Sequence, residues 1–114
     1  MRTLETRDTA ARGLDGPQTY ALRPGADHFR AYVGPPAQYD VMAATQFSLL
    51  CHLGLRETHR VLDFGCGSLR AGRLLIPYLL SGNYHGLEPN RWLIEDGIDK
   101  HLGADQVLAL HAEN

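Results

Sequence analysis

The residues best suited to chemistry fall in two short runs. The first is Asp63-Phe64-Gly65-Cys66-Gly67-Ser68, an acid followed by two glycines one residue apart; the second is Gly86-Leu87-Glu88-Pro89-Asn90. Gly65 and Gly67 can take positive φ and carry no Cβ. A ligand can therefore lie against backbone there, and N–H groups at a helix start can meet its polar atoms. Glu88 follows Gly67 by 21 residues, close to the spacing of about twenty at which nucleotide-binding folds set an acid on a ribose. A carboxylate accepts from two neighbouring hydroxyls at once, so the two runs together suit an adenosine-containing ligand.

The glycine spacing narrows the choice of ligand. A dinucleotide-binding turn has the pattern G-x-G-x-x-G, and the position of its third glycine is occupied here by Arg70. On a regular helix Gly72 would lie on a different face and could not supply the close helix–strand approach. A compact nucleoside without pyrophosphate fits this turn better.

These runs need elements that bring them to one edge. Residues 60–64 form a short, partly branched apolar run, which suits a strand buried on both faces of a parallel sheet. From residue 69 to 80, Ala71, Leu74, Leu75, Tyr78 and Leu79 recur at helical spacing, with Pro77 arguing for a kink or an early end. Ser81-Gly82-Asn83 breaks that helix, residues 84–88 read as a second strand, and Pro89-Asn90 opens a helix through Trp92, Leu93, Ile94 and Ile98. Strands joined in this way run parallel with a right-handed crossover, and ligands bind outside their carboxyl ends. A third strand is expected at 106–110. Upstream, Asp40 reads as the cap of a helix with apolar positions Met42, Phe47, Leu49, Leu50 and Leu53, stopped by Gly54. Gln46 and Tyr39 lie near it as polar or amphipathic positions within reach of a ligand. Residues 1–37 are poor in large apolar side chains and read as a mobile N-terminal arm; residues 38–114 hold the folded part.

Composition sets the outer limits. At 114 residues the chain has room for one core. A net charge of -2 argues against nucleic-acid binding through bulk positive potential, although ten of the eleven basic residues are arginines. Two cysteines outside any C-x-x-C arrangement make neither a zinc site nor a disulfide framework. His85, His101 and His111 lack ligand spacing, so no metal is expected. With no signal-like or membrane-length apolar run, the chain reads as cytoplasmic.

The run Val61-Leu62-Asp63-Phe64-Gly65-Cys66-Gly67, followed by Gly86-Leu87-Glu88-Pro89-Asn90, resembles class I S-adenosylmethionine-dependent methyltransferases. The similarity spans residues 38–103. It is strongest to a bacterial subgroup with the fuller patterns Asp-Phe-Gly-Cys-Gly-Ser-Leu-Arg-Ala-Gly-Arg and Glu-Pro-Asn-Arg-Trp-Leu-Ile. The resemblance implies a Rossmann-like parallel sheet with helices on both faces and S-adenosylmethionine as cofactor. It also implies that Gly65, Cys66 and Gly67 lie against the methionine portion, Asp63 receives the ammonium, Glu88 holds the ribose, and Pro89 and Asn90 border the adenine. A sulfonium methyl is already activated, so a catalytic base is optional, and no catalytic residue is assigned. The family sheet has seven strands, whereas this sequence accounts for two or three and reads as truncated. The acid expected after the third strand is replaced by His111-Ala112.

Plainer roles stand beside these. Asp63 either accepts turn N–H bonds or touches the ligand. Cys66 contributes backbone; a helix start lowers a thiol pKa, but no base accompanies it. Arg70 and Arg73 either bind a substrate anion or lie solvated, and Tyr78 and Trp92 read as core. Three functional classes stay open: the cofactor-binding half of a methyltransferase, a non-catalytic nucleotide-binding or assembly module, and a fragment of an NAD-dependent dehydrogenase. An unpaired sheet edge predicts self-association.

Overall fold

The structure is a computed structural model that describes residues 9–103. The expected third strand at 106–110 and His111 lie outside the described residues. The chain divides between Tyr39 and Asp40 into two compact units.

Among the described residues of the first unit, short 3-10 turns at Thr9–Gly13, Pro17–Ala21 and Pro36–Gln38 punctuate the backbone. His28 ties two stretches of it together: Nδ1 accepts the Arg30 N–H at 3.2 Å, which leaves Nε2 as the donor to the Leu14 carbonyl at 2.9 Å. The Arg30 guanidinium lies 5.7, 5.2 and 5.3 Å from the ring centres of Tyr20, Phe29 and Tyr39, within cation–π range of each.

The second unit is a mixed α/β arrangement built on a two-stranded parallel sheet. Its elements are α1 (Tyr39–His52, all but the first residue), β1 (Val61–Phe64), α2 (Gly72–Tyr78), β2 (Tyr84–Leu87) and α3 (Arg91–Gly97). A π-helical turn, Ile98–Leu102, follows α3. Val61 pairs with Tyr84 and Phe64 with Leu87. Gly54 ends α1 as the sequence predicts. At φ +109 its N–H bonds Cys51 O at 3.1 Å, while the Leu55 N–H reaches Leu50 O at 2.9 Å. These two bonds satisfy carbonyls of the last helical turn in a Schellman motif.

The helix start differs from expectation. Asp40 lies inside the first turn of α1, and its carboxylate accepts from Arg73 Nη2 at 2.8 Å, which ties α1 to α2.

Side-chain alternation places Val61, Asp63 and Tyr84 on the inner side of the sheet. The core there gathers Cys66, Leu69, Leu75, Ile76, Leu79 and Leu102, with Phe47, Tyr78, Ile94 and Ile98 packed against it. Tyr78 is core, as expected: its ring meets Phe47 edge-on at 5.3 Å, and its hydroxyl donates to Leu55 O at 3.2 Å.

The outer side of the sheet overturns the prediction that the first strand is buried on both faces. Leu62 is 61% exposed, Phe64 84% and Leu87 51%. The apolar positions of α1 behave similarly: Phe47 packs inward and Ala43 is buried, but Leu49, Leu50 and Leu53 are exposed. Both segments carry more apolar surface than the described residues cover.

Candidate functional site

The turn after β1 is sewn to the end of β2. The Leu87 carbonyl accepts from the Gly65 N–H at 2.8 Å and the Cys66 N–H at 3.0 Å. The next amide, Gly67 N–H, donates to Glu88 Oε1 at 3.1 Å. Three successive amides are thus directed at residues 87 and 88, and Glu88 lies against the glycine turn. This corrects one expectation: these three amides are engaged internally rather than left open for a ligand.

Glu88 does more than hold Gly67. Its Oε2 accepts from the Asn90 N–H at 2.9 Å and from Asn90 Nδ2 at 3.1 Å. Asn90 is the N-cap residue of α3, but its side chain makes no capping bond. One carboxylate therefore links the β1 turn to the start of α3. A carboxylate offers about four lone-pair positions; three are used, leaving one on Oε1. Pro89 is exposed beside it.

Backbone geometry explains the glycines and corrects the reading of the helix. Gly65 has φ +77 and Gly67 φ +57, and a Cβ on Gly65 would meet nothing within 4 Å. Gly65 is required by conformation and leaves open space. Leu69 also has positive φ, +64, which is unusual and costly for a side chain of that size, so the chain cannot turn helical there. Residues 67–71 form turns instead, and α2 begins at Gly72 rather than at residue 69. This delay changes the role of Gly72: a Cβ on it would come within 2.7 Å of Tyr84 Oη and 3.1 Å of Cζ. Gly72 thus permits the close approach of α2 to β2 that a regular helix phase would have denied it.

Asp63 is held by a neighbour rather than by the turn. Its Oδ2 accepts from Tyr84 Oη at 2.8 Å. Tyr84 is buried, and burial, followed by the Asp63 charge, raises its phenol well above the ordinary value. The hydroxyl therefore remains a donor under all ordinary conditions. Cys66 is buried too, and its thiol is pushed up to about 11, chiefly by burial and then by the negative charges of Asp63 and Glu88. This is opposite in direction to the lowering that a helix start can bring. The thiol stays protonated near neutrality and is a poor nucleophile.

No protein-family model, curated protein or solved structure matches this chain.

The remaining candidates divide clearly. Arg73, paired with Asp40, is not available as a free anion-binding group, whereas Arg70 is half-exposed after the turn. Trp92 is half-buried, and Gln46 lies half-buried on α1. Among the described residues no group of three His, Cys, Asp or Glu side chains is placed to hold a metal ion.

Sequence reasoning missed the roles of three residues that shape this region. Tyr84 supplies the partner of Asp63. A Cβ on Gly86 would come within 2.9 Å of Cys66 Sγ, so the glycine makes room for the buried thiol. A Cβ on Gly97 would collide with the Ser68 carbonyl, which means that α3 packs backbone to backbone on the glycine turn. A glycine in a strand or a helix costs stability, and that cost was the available signal that another group approaches closely.

Proposed function

We propose that this chain supplies the S-adenosylmethionine-binding half of a methyltransferase with a Rossmann-like sheet. The observation that carries the reading is the contact between Glu88, at the end of β2, and the Gly67 amide in the turn after β1. An acid and a side-chain-free turn at neighbouring strand tips suit a nucleoside whose sugar bonds the acid while its tail lies on backbone.

The residues present fit that cofactor. Gly65 offers backbone with open space above it. Glu88 Oε1 has one acceptor position left for a ribose hydroxyl, and release of Asn90 Nδ2 from Oε2 would provide a second. Asp63, with Oδ2 bonded to Tyr84, keeps Oδ1 for an ammonium. When bound, the cofactor supplies an activated methyl group. The residues of this chain would orient it and exclude water, and none is assigned to proton transfer.

The bare apolar positions Leu62, Phe64 and Leu87 support a sheet extended by further strands and covered by a second layer, or self-association through the exposed sheet. Among the described residues no helix is long and apolar enough to cross a membrane. The two free cysteines suit a reducing cytoplasm.

A second reading has its own support. Glu88 already satisfies three donors without a ligand, so the same contacts would serve a non-catalytic assembly module. Isothermal titration with S-adenosylmethionine, S-adenosylhomocysteine and NAD separates these readings. Selective binding of the first two is expected. Binding of NAD alone would point to a dehydrogenase fragment, and no binding of any of them at millimolar concentration would favour the module.

A further inference from the structure

We infer that Tyr84 is a positioning residue: its hydroxyl holds the Asp63 carboxylate in the orientation that receives the ammonium of an amino-acid-bearing nucleoside. The inference rests on the nucleoside reading above and adds to it the residue that governs recognition of the amino-acid tail.

Three observations converge on Tyr84. Its Oη lies 2.8 Å from Asp63 Oδ2, and no other hydrogen bond to that carboxylate is present among the described residues. Asp63 is only half-buried, on β1 two residues before Gly65, so without a partner its χ angles would be free to turn it toward water. The space around the phenol is also specifically cleared. Gly72 has no Cβ where one would come within 2.7 Å of Oη, and a Cβ on Gly86 would come within 3.3 Å of the ring at Cε2. Two glycines, one on α2 and one on β2, thus leave the ring a single slot that ends at Asp63.

This arrangement divides the work of the carboxylate between its oxygens. Oδ2 is committed to a donor that never ionises under ordinary conditions, and Oδ1 keeps its lone pairs for a cation. A fixed carboxylate binds a cation without first losing rotamer freedom, which is the gain of preorganisation. Tyr84 itself is buried and need not touch the ligand.

The test compares two probes that share the nucleoside but differ in the tail. S-adenosylhomocysteine carries the α-ammonium; 5′-methylthioadenosine lacks the whole amino-acid portion. Titration calorimetry on the full chain is expected to show Tyr84→Phe weakening S-adenosylhomocysteine about tenfold, the scale of one hydrogen bond to a charged group. Binding of 5′-methylthioadenosine should be unchanged. Asp63→Asn should show the same selective loss, and adding Tyr84→Phe to it should cause no further loss, because the tyrosine acts only through the acid. Equal weakening of both probes, no weakening of either, or additive losses in the double variant would overturn the inference. If the parent binds neither probe, the nucleoside reading itself fails, a result distinct from these. A thermal melt of Tyr84→Phe that matches the parent within a few degrees excludes unfolding as the cause of any loss.

Discussion

Replacing Glu88 with glutamine tests whether one carboxylate clasps the turn to β2 and α3. The carboxylate accepts three hydrogen bonds, one at Oε1 from Gly67 and two at Oε2 from Asn90. An amide cannot reproduce this pattern. If its oxygen faces Asn90, its NH2 meets the Gly67 N–H donor to donor; turned over, the NH2 meets two donors. The first arrangement is better and strands only the Gly67 amide. Gly67 is buried, and an unsatisfied buried donor costs about 1–3 kcal/mol. The other two bonds lose their charge assistance, but Glu88 and Asn90 are half-buried, so water offsets part of that loss. The net expectation is a destabilisation of about 2 kcal/mol, which in a unit of this size lowers Tm by roughly 8–16 °C. Thermal unfolding by circular dichroism, paired with urea titration at constant m, measures it. A change below about 0.5 kcal/mol, inside the scatter of ordinary surface substitutions, would show that the clasp holds nothing.

Other expectations follow from the same geometry. Gly97→Ala drives a Cβ into the Ser68 carbonyl, and the two nearest atoms are backbone that cannot swing aside, so it should cost about 3 kcal/mol, whereas Gly65→Ala meets open space and should cost only the roughly 1–2 kcal/mol of its positive φ. Equal melting temperatures for these two variants would contradict the close packing of α3 on the turn. The Cys66 thiol is raised in the folded state, so its contribution to stability is fully present below the ordinary thiol pKa near 9 and is lost as pH rises toward about 11. Tyr84 shifts in the same direction, and the urea midpoint should therefore hold steady to about pH 9 and fall above it; in a Cys51→Ser variant, rapid alkylation of native Cys66 at pH 8 would contradict the buried, protonated thiol. Phe64→Lys places a charge at the most exposed apolar side chain of the sheet. It should shift sedimentation at tens of micromolar toward monomer, and a monomeric parent at the same concentration would remove the case for self-association.

Much of the second unit is legible from sequence because its signals are local. Val61 to Phe64 and Tyr84 to Leu87 are apolar runs bounded by turn residues, and both are strands of a parallel pair. Gly54 ends α1 because only glycine readily takes its backbone angle there. The 21-residue interval brings Glu88 to Gly67 because a single crossover, the turns at 67–71 and the short helix α2, joins two parallel strands. What failed to show was decided by tertiary contact. Leu69 looks like a helical residue, but its positive φ delays α2 and gives Gly72 a role that periodicity had denied it. Asp40 looks like a cap until Arg73 arrives from another helix. Asp63 has a phenol as its partner because strand register, which no local pattern encodes, sets Tyr84 opposite Val61 on the same face. Apolar runs announce burial in general; they do not reveal that Phe64 and Leu87 stand on a side of the sheet that the described residues leave bare.

The central claim is that a nucleoside binds where Glu88 meets the glycine turn. Amide spectra of the isotope-labelled chain, recorded while S-adenosylhomocysteine is added, address it directly. Saturable shifts at Gly65, Cys66, Gly67 and Asn90, absent on addition of NAD, are predicted. Unchanged amides at these four positions at millimolar ligand, or the same shifts with NAD, would contradict it.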